Sequence, residues 1–307
     1  MSRITLLDGG MGQELIRRSA QPAHPMWSAH VMLDEPGIVQ AVHAEYLRAG
    51  ARVLTLNTYS ATPGRLTRFG MAEEFAPMQR RALELARAAI DETGIEASIA
   101  GCLPPLVGSY HPELLPPYED MLAEYRLIAA AQAGHVELFL CETMSKAEEA
   151  RAAATAAAET GRPVWVAWTL AETLHEDGTA RLRSGETIAE AIAALDGLPV
   201  AALLANCCPP EVIDAALPEL VAAGRPAGGY ANAFTPIPPG FKLGQTVDML
   251  SARTDLDPEA IADFALGWIA GGASIVGGCC EVGPAHIAEI ARRLCDAGHE
   301  IIGGTNG

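Results

Sequence analysis

Short apolar runs alternate with longer amphipathic stretches from one end of the chain to the other. The runs at residues 4–8, 53–57, 98–103, 138–142, 164–170, 202–206, 227–232 and 274–277 predict strands, since each is short and bounded by turn formers. The stretches at 38–49, 75–93, 118–133, 146–160, 188–195, 211–223, 258–270 and 284–297 predict helices. Gly50, Gly94, Gly134, Gly161 and Gly298 follow helices, where a left-handed C-cap is expected. Pro258 and Pro284 suit the first helical turn, whose N–H groups have no intrahelical partner to lose.

Eight strand–helix pairs imply parallel strands joined by crossover helices. Eight strands also close into a barrel with a packed interior. The reading is an α/β fold, a (β/α)8 TIM barrel forming one domain over residues 1–307. A doubly wound open sheet would want a Gly-x-Gly-x-x-Gly loop opening a helix, and the chain has none. Two connections are long, 171–187 and 233–257, and long connections in compact domains commonly act as lids.

Composition narrows the function. Hydrophobic residues make up 50% of the 307 and charged residues 19%, enough for a large core. Lys and Arg total 21 against 38 Asp and Glu, a net charge of −17, which argues against nucleic-acid binding and against a polybasic membrane anchor. No apolar run reaches the length of a membrane span, and the start does not read as a signal peptide, so a cytoplasmic protein is expected. The seven Cys do not suggest a disulfide scaffold, but four of them form adjacent pairs, Cys207-Cys208 and Cys279-Cys280.

In a barrel of this kind the site lies at the C-terminal ends of the strands. Asp8, Asn57, Thr58, Tyr59, Cys102, Glu142, Asn206, Cys207, Cys208, Tyr230, Asn232, Cys279 and Cys280 all fall at or near those ends. Strands six and eight are one strand apart, so thiols from both can meet at one atom. Zinc suits them, since it is tetrahedral, binds thiolate at about 2.3 Å and keeps one position open when three protein ligands hold it. Adjacent cysteines in a strand point to opposite faces, so both reach one metal only where the chain bends. Gly277-Gly278 are expected to supply that freedom. Spacing does not choose between Cys207 and Cys208, and Cys102 and Cys141 read as packing.

These residues carry a resemblance. The chain is similar to the zinc-dependent homocysteine S-methyltransferases through LLDGGMGQEL near its start, PMWS at 25–28, H-x-x-Y-L-x-A-G at 43–50 and NTYSAT at 57–62. CET at 141–143, DGTARLRSGE at 177–186, ANCCPP at 205–210, YAN at 230–232 and GGCCEVGPAHI at 277–287 continue it in order. The resemblance implies a zinc barrel that moves a methyl group onto the homocysteine thiol, giving methionine. It places the zinc on Cys207, Cys279 and Cys280, leaves Cys208 outside the ligand set, and puts Asp8 and Glu142 in the amino-acid pocket. Gly9, Asn206 and Asn232 lie in the same matched segments and are read as substrate-binding. Trp27 and Tyr59 are candidates to face the donor's cation through their rings.

The chain ends soon after the eighth helix, which by the same resemblance favours the sulfonium-using branch, with S-methylmethionine or S-adenosylmethionine as donor. Glycine betaine as donor, or selenocysteine as acceptor, stays open, as does the oligomeric state. Two rivals stand beside the enzyme: a redox-sensing barrel using a Cys279–Cys280 disulfide, and a barrel that binds zinc or an amino acid without turnover.

Overall fold

The computed structural model describes residues 2–21, 26, 28–237 and 250–304. Among the described residues nine strands form one sheet: β1 (Arg3–Leu6), β2 (Val53–Thr55), β3 (Ser98–Leu103), β4 (Leu138–Met144), β5 (Val164–Trp168), β6 (Val200–Asn206), β7 (Ala227–Ala231), β8 (Ile275–Gly278) and β9 (Glu300–Ile302). Their order is β2-β3-β4-β5-β6-β7-β8-β1-β9, and the paired strands run parallel. Leu7 bridges to Val53 beyond the end of β1, with Arg52 N donating to Leu6 O at 2.8 Å and Asp8 N donating to Val53 O at 3.1 Å. That contact brings the first and second strands together and rounds eight strands into the expected barrel. The N-terminal part of β1 pairs instead with β9, and Gly304 behind it packs against Leu138, Trp165 and Val53.

Parallel strands are covered on both faces, which explains their near-continuous apolar runs. Inside the barrel Leu7, Val53, Ala100, Leu138, Leu140, Trp165, Ala202, Leu204 and Ile275 pack together. A larger apolar layer fills the space between the strands and the surrounding helices. Local chemistry starts those helices: Asp257 accepts from Ala260 N at 2.9 Å ahead of Pro258, and Thr187 and Glu190 form a reciprocal capping box.

Several expectations need correction. The helices α1 (Met11–Arg18), α2 (Ser28–Asp34) and α4 (Pro63–Arg68), and the strand β9, were not legible in the pattern. They are short, and α1 and α2 precede α3 (Pro36–Ala49), so the first strand is followed by three helices rather than one. Gly50, Gly94, Gly161 and Gly298 take the left-handed conformation, but Gly134 does not. Of the long connections, 171–187 is ordered by bridges from Leu170 to Leu182 and from Arg181 to Thr187. Residues 238–249 of the other lie outside the described residues. Among the described residues no helix is long and apolar enough to cross a membrane.

Candidate active site

Strand register assembles the site. Asn206 at the end of β6 pairs with Tyr230 of β7, and Tyr230 pairs with Gly277 of β8. The next residues carry the thiols. Cys207 N donates to Tyr230 O at 3.2 Å, Cys279 N to Ala231 O at 2.9 Å, and Ala233 N to Cys280 O at 3.0 Å. Both cysteine segments are thereby tied to the one strand between them. The sulfurs of Cys207, Cys279 and Cys280 lie within 4.8 Å of one another, with Cys207 and Cys280 3.8 Å apart.

The bend that turns both Cys279 and Cys280 inward does not come from the glycines. Gly277 and Gly278 keep ordinary backbone angles, whereas Cys207 (φ 51°) and Glu281 (φ 65°) take the left-handed conformation. Gly278 is needed for closeness, since a Cβ there would lie 2.1 Å from Val282 Cγ1. Gly9 serves the same loop from the other side, for its Cβ would meet Val282 O at 2.2 Å. Cys208 turns away into the helix-side core, where burial pushes its thiol up to about 12. Cys141 is buried in that same core.

The electrostatics separate the three clustered thiols. Cys207 is held well below the usual thiol range by its contacts with Cys279 and Cys280, helped by Tyr110 and Arg183. Cys279 and Cys280 are pushed up, first by Cys207. One thiol ionises readily and its neighbours then resist, the behaviour of a donor set whose full deprotonation calls for a cation. Three sulfurs at this spacing, those of the buried Cys207 and Cys280 and the half-buried Cys279, fit a tetrahedral thiophilic metal.

Two carboxyl groups sit in the same mouth. Asp8 Oδ2 accepts from Thr55 N at 2.8 Å, yet burial, with the charge of Glu142 adding, pushes Asp8 up to about 8. Burial raises Glu142 to about 7, with Cys207 adding, while the Cys102 thiol donates to Glu142 Oε1 at 3.0 Å. Asn206 engages Thr143 with both ends of its amide. Asn232 Oδ1 accepts from Phe234 N at 3.3 Å, while its buried Nδ2 has no partner among the described residues. The buried Tyr230 hydroxyl also has none among them.

Sequence reasoning missed Tyr110, whose hydroxyl lies 3.0 Å from Cys207 Sγ, and Arg183, whose guanidinium lies 4.2 Å over the Tyr110 ring. It also read Cys102 as mere packing, although the thiol bonds Glu142. The Pro-rich connection 104–117, which carries Tyr110, was the available signal, although it is shorter than the two connections singled out as lids. Tyr59 is half-buried, with its hydroxyl 2.7 Å from Ser109 Oγ and Arg65 5.4 Å from its ring centre. Trp27 lies outside the described residues.

The model of the homocysteine S-methyltransferase family matches residues 5–294. The chain belongs to the homocysteine S-methyltransferase family. A homocysteine S-methyltransferase of Escherichia coli strain K12 is 31% identical over 315 aligned residues, covering 94% of this chain and 95% of the relative. A selenocysteine methyltransferase of Astragalus bisulcatus is 28% identical, covering 95% and 93%. The crystal structure of the metallated form of the homocysteine methyltransferase MmuM from Escherichia coli is similar with a TM-score of 0.77 at 29% identity, covering 94% of this chain and 96% of that one. As a member of this methyltransferase family the chain is an enzyme, and its barrel mouth carries a cysteine cluster able to hold a metal.

Proposed function

We propose that this homocysteine S-methyltransferase, working as one unit over residues 1–307, moves a methyl group from a cationic onium donor to the thiol of homocysteine, with zinc held by Cys207, Cys279 and Cys280. The observation that carries the reading is the 3.8 Å separation of Cys207 and Cys280. Two sulfurs bonded at about 2.3 Å to one tetrahedral zinc are separated by about 3.8 Å. When bound, zinc lowers the pKa of a thiol in its remaining position and holds that sulfur as the nucleophile.

The chain's own residues orient the acceptor. Asp8 and Glu142 take the ammonium, whose charge compensates the burial that otherwise keeps both carboxyls protonated. Gly9 lets the cysteine loop come close at Val282, and Asn206 and Asn232 are the remaining residues assigned to the acceptor. Tyr59 and Trp27 are the rings assigned to the donor's cation, and Tyr59 is linked to the cysteine cluster through Ser109 and the adjacent Tyr110. Transfer joins the acceptor sulfur to the methyl carbon and breaks the donor's carbon–sulfur bond. The leaving group is a neutral thioether, so no general acid is needed. Positioning and electrostatics then do the catalysis.

S-methylmethionine or S-adenosylmethionine is the proposed donor. The similarity to a selenocysteine methyltransferase supports a selenol as a second acceptor, since a selenol places the same kind of soft nucleophile in the same pocket. A panel of onium donors assayed with homocysteine and zinc-loaded enzyme tests the reading. Methionine formed from a sulfonium supports it. Turnover with glycine betaine alone overturns the donor branch, and binding without turnover by any donor leaves a non-catalytic barrel. A reduced protein that takes up no zinc points to the redox reading instead.

A further inference from the structure

Tyr110 is fixed from several sides. Arg65 donates to Pro105 O at 2.6 Å and Arg68 to Val107 O at 3.1 Å, pinning the connection that carries it. Tyr59 bonds its neighbour Ser109 at 2.7 Å. Arg183, ion-paired with Glu172, covers the Tyr110 ring. The Tyr110 backbone has φ of 70°, a conformation costly for tyrosine that persists only where the surroundings impose it. The outcome is a hydroxyl aimed at one sulfur of the cluster, Cys207 Sγ at 3.0 Å.

A thiolate cluster beside an alkylating cation has a chemical problem, because its own sulfurs are nucleophiles. Through Ser109 and the adjacent Tyr110, Cys207 is the cluster sulfur linked to Tyr59, the ring assigned above to the donor. We propose that Tyr110 protects Cys207 from alkylation by donating its hydroxyl hydrogen to the Cys207 thiolate, which leaves the acceptor sulfur as the better nucleophile. A thiolate can only accept, so the phenol is the donor. The reaction avoided would join the methyl carbon to Cys207 Sγ, break the donor's S–CH3 bond and leave the electron pair on the departing thioether. Cys207 would end as an uncharged thioether and the cluster would lose an anionic ligand. Tyr110 is thus a positioning residue, and the inference rests on the proposed methyl transfer.

The test compares zinc-loaded wild-type and Tyr110→Phe proteins under limiting iodoacetamide, with mass mapping of the peptides bearing Cys207, Cys279 and Cys280. Iodoacetamide reads thiolate nucleophilicity without any methyl donor, and Phe keeps the ring's bulk. The ratio of Cys207 to Cys279 alkylation should rise at least about fivefold, as fits loss of a hydrogen bond to a charged acceptor. Arg183→Met, which removes the cation over the ring, should raise it in the same direction by less. An unchanged ratio in folded Tyr110→Phe protein overturns the assignment. So does a rise in Tyr110→Ala without one in Tyr110→Phe, since bulk would then be the shield. Should Tyr110→Phe fail to fold, an unchanged ratio in Arg183→Met overturns it equally. A second arm incubates the variant with S-methylmethionine and no acceptor. A methyl group found on Cys207 supports both the protection and the donor. A raised iodoacetamide ratio with no methylation by any onium donor supports the protection while the donor reading fails.

Discussion

Asn206 and Thr143 hold each other at two points: Thr143 N donates to Asn206 Oδ1 at 2.9 Å, and Asn206 Nδ2 donates to Thr143 Oγ1 at 2.9 Å. The clamp joins the ends of β6 and β4 across β5. Cys207 follows one partner and Glu142 precedes the other, so the clamp links the sulfur cluster to the carboxyl proposed to receive the substrate's ammonium. Both Thr143 (φ 62°) and Cys207 (φ 51°) sit in left-handed backbone, which such a clamp helps to maintain.

Removing the clamp should therefore cost stability and acceptor affinity together. Asn206→Ala leaves the buried Thr143 N–H without its acceptor, a loss of about 1–3 kcal/mol. Asn206→Asp keeps an acceptor for that N–H and should lose less. Urea titration and the Michaelis constant for homocysteine measure the two effects. An Asn206→Ala protein with wild-type stability and acceptor affinity would remove the clamp's role.

Metal binding should survive as a property separable from folding. Cys279→Ser is expected to empty the site while circular dichroism stays native, because a catalytic metal is seldom the main staple of a barrel this large. Metal analysis under reducing conditions reads the result. Retention of about one zinc per chain in Cys279→Ser would exclude this ligand set.

Acceptor binding should release protons. Asp8 is raised to about 8 and Glu142 to about 7 by burial in the free protein, and an ammonium between them favours their ionised forms. Near pH 6 both carboxyls are protonated before binding, so a thiol-free amino acid such as methionine should expel protons into the buffer. Near pH 9 both are already ionised and the release should vanish. Calorimetry in buffers of different ionisation enthalpy counts the protons, and Glu142→Gln should reduce the count.

The same shifts set the pH dependence of stability. The native state holds protons on Asp8 and Glu142 that the unfolded chain has given up, so stability falls as pH rises from about 4 to about 8. Asp8→Asn cannot titrate and should show a smaller decline of Tm over that window. An equal decline in both proteins would assign the dependence to other groups.

Donor recognition should lean on Trp27 more than on Tyr59. Arg65 already places a cation 5.4 Å from the Tyr59 ring centre, and a second cation there meets its repulsion. Trp27→Ala is expected to cost about 1–2 kcal/mol in the donor's Michaelis constant, from lost cation–π contact and packing, with zinc content unchanged. Tyr59→Leu should cost less. Unchanged donor kinetics in Trp27→Ala would make that ring a packing residue.

Buried parallel strands need apolar residues on both faces, and each amphipathic helix needs a terminator, so period and punctuation alone determined the eight strand–helix units. Three of the predicted ranges coincide with β3 (Ser98–Leu103), the helix Phe75–Thr93 and the helix Pro258–Ala270. Placing Asp8, Glu142, Cys207, Cys279 and Cys280 at one mouth followed from the same periodicity, because a parallel barrel gathers all strand ends of one polarity on one rim. The short helices and β9 left no signal, since a few residues hold their shape only through the surfaces they pack on. The resemblance named Cys207 over Cys208, but only the folded chain gives the reason, while Cys279 and Cys280 both join the cluster. Cys207 and Cys208 are neighbours in sequence, but a left-handed residue at Cys207 sends one thiol to the cluster and the other into the core. Tyr110, Arg183 and Cys102 were decided there too, because their partners lie 97, 73 and 40 residues away in the chain, at Cys207, Tyr110 and Glu142. Contacts of that range are set by how loops cross the barrel mouth, and no local pattern of apolar and polar residues encodes that crossing.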